Sequence, residues 1–585
     1  MRKILFWGIA VLVIVETVVY NVDWINYKLF WAQTMLGIML VIYALGWAFN
    51  PDLRTRSALD IPIIAYLSWV FISFLFSDFK SASTYALFNI LTPVILYFIF
   101  SSGAVKSERL NLLINLWILG AVYACIYGFF HNGPISLPFA ERPMTATFGN
   151  PNLWAAFLVS TIPFAIAKLF QTKGEMKRLL YVLVVFIFGF SLYLTGSRAG
   201  IGAGICAVLL FFGLGLLFRI IGSRCWVTGF FWLVVLILTW GFIFRKQLIS
   251  YFALRDRIFI WQGALQMIRQ KPFLGWGVGN FAVFFPQFAP HQLNQIYPDD
   301  FVAHAHNEFL NITAELGIIG LVLFFWFLFR VFRIIKRNIS RGENNIRLLT
   351  LAAASSISGV IIISLFDVSL RFVFTAIYWW LAIAILAIMD KIELKKVVNP
   401  AQTRKSWPLV ARLAVVAVSI FLSANLVVYA AHSLWAARQY SKSVSFFHLD
   451  MDKIDALIND GEGKIEKGQA DAQTYFNLGT IYAREADWKQ ARDYLEQVIK
   501  IEPEAVFAYT NLGNVYFNLS NIDKAVTCYR RALEIAPDYL NAHYNMGFVY
   551  FRRKQLRDAL REFDFVLSKN RNDFQAWQMR QLIFE

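Results

Sequence analysis

Hydrophobic positions fall into long unbroken runs up to about residue 431, and into short helix-spaced sets beyond it. Runs long enough to cross a bilayer as single helices lie at roughly 4–22, 29–49, 59–77, 84–101, 110–130, 153–170, 179–196, 201–221 and 226–244. After a gap come 312–332, 347–368, 371–389 and 409–431. The pattern predicts an all-α, polytopic membrane bundle of about 12–13 spans over residues 1–435, interrupted by one long loop at 245–311.

Beyond the last run the pattern changes to amphipathic helices with an internal repeat. Asn477-Leu478-Gly479, Asn511-Leu512-Gly513 and Asn545-Met546-Gly547 stand 34 residues apart, in phase with Tyr482, Tyr516 and Tyr550 and with Ala491, Ala525 and Ala559. Pro503 and Pro537 keep the same phase, and Arg571 stands in the third place. This resembles the tetratricopeptide repeat, whose small residues lie where paired helices touch and whose proline closes the second helix. Residues 471–585 are therefore expected to form an α-solenoid, with 436–470 a linker or a degenerate capping repeat. Such repeats bind extended peptides or partner proteins.

Charge orients the spans, because lysine and arginine collect in cytoplasmic loops. One set of alternating loops holds Arg2 and Lys3; Arg54 and Arg56; Lys106 and Arg109; Lys168 to Arg178; Arg219 and Arg224; Arg333 to Arg341; and Lys391 to Lys405. The opposite short loops hold one cation each: Lys28, Lys80, Arg142, Arg198 and Arg371. The first run reads as an uncleaved span, since bulky polar residues rather than a small-residue cleavage site follow it. The N-terminus is then cytoplasmic, and the long loop and the repeats lie outside.

Composition agrees with this placement. Of 585 residues, 58% are hydrophobic and only 16% charged, which excludes an ordinary soluble protein. The net charge of +17 fits cytoplasmic loops and anionic headgroups rather than nucleic acid. Cys125, Cys206, Cys225 and Cys528 are too dispersed for a disulfide framework or a zinc site and read as packing residues.

Candidate chemistry gathers in the long loop, which opens with Arg255, Arg257, Trp261, Arg269 and Lys271. Planar guanidinium groups bind phosphate oxygens bidentately, so the cluster reads either as a phosphorylated-lipid site or as an amphipathic helix on headgroups. Gly275-Trp276-Gly277-Val278-Gly279-Asn280 lacks the lysine and strand–helix context of a nucleotide loop and marks a turn. His304 and His306, two apart, would face different ways on a helix. No HExxH pattern accompanies them, and Asp299, Asp300 and Glu308 complete no recognised metal set. A neutral imidazole beside arginines suits a general base instead, since neighbouring positive charge keeps it unprotonated. Asn307 is placed to cap the helix of the tenth run, and Asn152 that of the sixth. Arg198, in Gly196-Ser197-Arg198-Ala199-Gly200, is either an interface anchor or an anion ligand at membrane depth.

Arg257 with Trp261, Pro272 with Gly275, Gly277 and Asn280-Phe281, then His306-Asn307 and Glu315-Leu316-Gly317, resemble the O-antigen ligase and polymerase superfamily, which includes protein O-oligosaccharyltransferases. Ser197-Arg198-Ala199-Gly200 and Gly149-Asn150-Pro151-Asn152 are similar to the same proteins. The likeness spans roughly residues 1–400 and is most specific at 255–320. It implies a metal-independent, cofactor-free GT-C-type glycosyltransferase that takes a glycan from undecaprenyl diphosphate outside the cytoplasmic membrane and inverts the anomeric centre. On that resemblance Arg198 and Arg257 hold the diphosphate and His306 activates the acceptor hydroxyl; the acceptor is a lipid, a growing glycan or a protein. Two other readings are a transporter of lipid-linked glycan, for which no paired internal repeats are seen, and a membrane-anchored repeat scaffold.

Overall fold

A computed structural model describes residues 2–18, 24–49, 57–101, 107–131, 144–148, 150–221, 252–290, 293, 302–397, 408, 412–428, 451–484, 487–569, 576, 579–580 and 583. The side chains of 18, 24–30, 81, 107–108, 131, 252–256, 395–397, 451–457 and 484 fall outside that description. All regular structure among the described residues is helical, and the chain divides into two units, Met1–Ala437 and Arg438–Glu585.

The first unit contains α1 (Arg2–Val18), α2 (Trp24–Phe49), α3 (Asp60–Leu75), α4 (Lys80–Ile99), α5 (Ser107–His131), α6 (Pro151–Gln171), α7 (Glu175–Leu194) and α8 (Arg198–Leu217). It continues with α9 (Phe252–Gln270), α10 (Glu308–Arg341), α11 (Asn344–Ile363), α12 (Val373–Val397) and α13 (Arg412–Val428). Among the described residues nine helices are long and apolar enough to cross a membrane, and α3 and α13 are shorter apolar helices. Every predicted run lies on a helix except 226–244, which is outside the described residues.

Helices α6 and α12 form the buried centre, apolar on every side, as expected of a span surrounded by other spans. Their large rings interlock: Phe157 stacks on Trp154 and meets Tyr378 edge-on. Buried indoles find partners, with Trp117 Nε1 donating to Thr161 Oγ1 at 3.0 Å and Trp154 Nε1 to Ser191 Oγ at 3.1 Å. At the start of α6 the capping residue is Asn150, not Asn152. Pro151 takes the first helical position and holds Asn150 extended, so that its side chain accepts from Asn152 and Leu153 N–H.

The two ends of the bundle differ in chemistry. At one end cations meet the terminal carbonyls of helices: Arg412 Nη1 donates to Ala48 O at 2.7 Å, Lys391 Nζ to Ser101 O and Arg347 to Phe218 O. At the other end the connecting residues 76–79, 195–197, 271–290, 302–307 and 364–372 carry the site.

Helix α10 is broken at Gly317, whose φ of 67° departs from the helix. The turn after α9 takes up the freed groups: Trp276 N–H donates to Ala314 O and Gly277 N–H to Glu315 O, both at 2.9 Å. Ile318 N–H donates to Pro272 O at 2.8 Å, and Trp69 Nε1 to Leu316 O at 2.9 Å. A side chain at Gly275 would overlap the Glu315 carbonyl. The glycines thus let one backbone lie against another, and the run clasps a broken helix.

The second unit begins with α14 (Met451–Glu466) and then pairs α15 (Ala472–Arg484) with α16 (Trp488–Ile501), α17 (Val506–Asn518) with α18 (Ile522–Ile535), and α19 (Leu540–Arg552) with α20 (Leu556–Lys569). Gly479, Gly513 and Gly547 each sit under a large side chain of the following helix, Leu495, Tyr529 and Phe563. Tyr482 donates to Glu462 and Tyr516 to Glu496, so Glu462 on α14 holds the place that Glu496 holds one repeat later.

Candidate active site

Asn307 caps α10 as the sequence suggests: its Oδ1 accepts from Leu310 N–H at 3.0 Å while its Nδ2 donates to Leu365 O at 3.0 Å. It thereby fixes the loop that brings His306 to the 364–372 connection. His306 itself has a φ of 47°, a conformation non-glycine residues seldom adopt. The preceding residue is held on both sides: Ala305 N–H donates to Asn311 Oδ1 at 2.8 Å, and Trp261 Nε1 donates to Ala305 O at 3.0 Å. The support continues inward, from Asn311 Nδ2 to Glu315 Oε1 at 3.0 Å and from Arg371 Nη1 to Glu315 Oε2 at 2.7 Å. Burial alone would lower the Arg371 pKa, but Glu315 and Glu308 raise it above its ordinary value. The strained His306 turn thus rests on a buried ion pair.

His306 Nδ1 lies 3.8 Å from Asp367 Oδ1, and that carboxylate is only 7% exposed. The same carboxylate feels Arg257. Burial lowers the Arg257 pKa, Asp367 raises it and Arg198 lowers it, with the net shift downward. Two guanidinium groups and one carboxylate therefore share a single electrostatic neighbourhood, and an incoming anion would relieve the repulsion between the cations. Arg198 is exposed at the first position of α8, where Ser197 Oγ accepts from Gly200 N–H at 3.1 Å; the helix terminus adds its own partial positive charge.

The predicted residues do not all converge. His306 stands 3.8 Å from Asp367, and Arg257 lies within electrostatic reach of both Asp367 and Arg198, with Trp261 and Asn307 as supports. Arg255 is in the first turn of α9, and its side chain lies outside the described residues. Lys271 is drawn elsewhere, 3.9 Å from Asp78 and over the Trp276 ring, so the cationic cluster read in the loop is divided. His304, unlike His306, lines a cavity of about 360 Å³. Its ring packs edge-on against Phe372, and burial, with help from Arg371 and His306, lowers its pKa to about 3. Asp367, Glu315 and Arg371 were missed in these roles. The available signal was charge inside or at the edge of an apolar run. Asp299 and Asp300 lie outside the described residues, and no group of three His, Cys, Asp or Glu able to hold a metal occurs among the described residues.

Fold and site define a multi-pass helical membrane protein with a charged site at one end of its bundle and a helical-repeat unit after it. Residues 183–325 match the O-Antigen ligase family, 472–505 the Tetratricopeptide repeat family and 513–553 a further TPR repeat family. The chain therefore carries an O-antigen ligase domain followed by C-terminal tetratricopeptide repeats. It is 27% identical over 290 residues to a "Putative polysaccharide ligase" of Rickettsia conorii, covering 48% of this chain and 67% of that one. The "Putative polysaccharide ligase" of Rickettsia felis is 26% identical over 300 residues, 50% of this chain and 70% of that one. Among solved structures, the first TPR of Spaghetti (RPAP3) bound to an HSP90 peptide aligns at 22% identity and TM-score 0.19, covering 19% of this chain and 90% of that one.

Proposed function

We propose that the protein is a metal-independent GT-C-type glycosyltransferase that moves a glycan from a polyprenyl diphosphate, undecaprenyl diphosphate in a bacterial inner membrane, to an acceptor hydroxyl on the extracytoplasmic side. The observation that carries this is His306 set against Asp367, with Arg257 within electrostatic reach of that carboxylate and of Arg198. The acceptor oxygen attacks the anomeric carbon, the bond from that carbon to the diphosphate oxygen breaks, and the acceptor proton passes to His306. Asp367 facing Nδ1 favours the tautomer with its proton there, leaving Nε2 to receive the acceptor proton. Arg198 and Arg257 neutralise charge growing on the leaving diphosphate, an effect that acts most strongly in the transition state. Arg255 extends the cationic rim in this reading, and the repeats recruit a protein acceptor or an assembly partner.

The test is transfer in a strain that lacks the protein but makes lipid-linked glycan, complemented with His306→Ala, Arg257→Ala or Arg198→Ala. Each variant should insert normally and lose transfer at least about a hundredfold. Full activity in all three would remove the mechanism. Loss in the arginine variants alone would favour movement of lipid-linked glycan over chemistry.

A further inference from the structure

The cavity lined by His304 has none of Arg198, Arg257, His306 or Asp367 on its walls and has its own chemistry. It holds about 360 Å³, within the range of small-molecule sites. Asn89, Tyr66, Glu308, Arg371, Phe372 and Trp380 are among its walls. Asn89 is 9% exposed and Glu308 6%. Among the described residues Asn89 Oδ1, His304 Nδ1 and Glu308 Oε2 are buried and have no hydrogen-bond partner in the protein. A buried polar atom left unmet is costly, and these three acceptors belong to the walls of one cavity together with Arg371 Nε, a donor that likewise makes no hydrogen bond.

Their chemistry narrows the ligand. An amide oxygen and a carboxylate oxygen accept hydrogen bonds, and a neutral imidazole offers one acceptor nitrogen. A ligand completing them must supply several O–H or N–H donors within a small radius. The one guanidinium nearby, that of Arg371, is already engaged by Glu308 at 3.3 Å and Glu315 at 2.7 Å. The cavity has no positive charge to spare, so a phosphate gains nothing there. The remaining walls are aliphatic and aromatic, and the rings among them, Tyr66, Tyr85, Phe324, Phe372, Trp379 and Trp380, suit the C–H face of a sugar.

We infer that this cavity is a subsite for a neutral sugar ring, hydroxyl-bonded by Asn89, His304 and Glu308 and stacked on the surrounding aromatic side chains. This rests on the proposed glycosyl transfer, since it names what lies next to the reacting atoms: the sugar is either the donor glycan's or the acceptor's. His304 and His306 then divide the work, one turned to the sugar and the other to the proton.

The experiment uses the full-length protein in detergent micelles, with saturation-transfer NMR of free methyl glycosides of glucose, galactose, rhamnose and N-acetylglucosamine. At least one should bind wild type and stay bound when pyrophosphate is added. Asn89→Leu and His304→Phe should each weaken that binding about tenfold. Neither substitution removes a hydrogen bond made within the described structure by the unpartnered atom, so folding is expected to survive. Absence of glycoside binding to wild type, displacement by pyrophosphate, or displacement by a free isoprenol would each overturn the inference; the last would assign the cavity to a lipid tail. Transfer kinetics of Asn89→Leu identify the source, through a raised KM for donor or for acceptor, and an unchanged KM for both overturns the subsite. The two readings fail separately. Glycoside binding with transfer that ignores His306 sinks only the mechanism, whereas His306-dependent transfer without glycoside binding sinks only the subsite.

Discussion

His304 is held neutral by its surroundings: burial first, then the Arg371 cation, bring its pKa down to about 3. In the unfolded chain an imidazole takes up its proton near pH 6.5. The folded state prefers the neutral ring, so this contribution to stability is fully present above about pH 6.5 and drains away as pH falls toward 3. Over that window wild type should lose on the order of a few kcal/mol relative to His304→Phe. Thermal unfolding of both proteins in detergent from pH 7 to pH 4 checks it; parallel curves would mean that the ring is solvated. At this scale the sequence exposed cations and histidines because they stand out against hydrocarbon, and Arg198, Arg257 and His306 were read that way. Asp367 was not, because a lone carboxylate at the end of an apolar run acquires meaning only when packing sets it against His306 and Arg257. The cavity was equally hidden, since Asn89 belongs to α4 and nothing in its neighbourhood along the chain points to His304.

At the scale of elements, the runs read from hydropathy became helices because uninterrupted apolar sequence has no other way to satisfy its backbone in a bilayer. The break at Gly317 was not legible. Its run continues apolar through 332, and a glycine within a span is compatible with straight helix, so the discontinuity arises from the partner turn 272–277. That turn and the broken helix hold Glu315, the anchor for both Arg371 and Asn311. Gly317→Ala would place a methyl group into the Phe273 carbonyl at a φ of 67°, forcing the two backbones apart. A loss of about 2–4 kcal/mol is expected. Gly213→Ala on α8, where an added methyl meets nothing within 4 Å, serves as the control and should be neutral or slightly stabilising. Melting midpoints in detergent decide: if the two variants match, the clasp contributes nothing to the fold.

For the whole molecule, the end of the bundle at which each residue lies follows from the charges and the helices together. Arg198 begins α8 and Leu217 ends it, about 30 Å away along a 20-residue helix. Arg257 stands within electrostatic reach of Arg198, so Leu217 and Arg257 belong to opposite ends of the bundle. Run 226–244, outside the described residues, lies between them in sequence and is the crossing that hydropathy predicts there. With it the predicted crossings are odd in number, and a cytoplasmic N-terminus then puts the repeats on the same side as His306. Without it the parity reverses for everything after Ile221, and the candidate site and the repeats alike fall in the cytoplasm, beyond reach of an extracytoplasmic donor or acceptor. Alkaline phosphatase, which folds only in an oxidising compartment, distinguishes the two when fused after Ile221, after Gln270 and after Glu585. The expected pattern is inactive, active, active. An inactive fusion after Gln270 would place the candidate site in the cytoplasm and remove an extracytoplasmic donor from the mechanism. An inactive fusion after Glu585 alone would leave the chemistry intact and make the repeats a cytoplasmic docking unit.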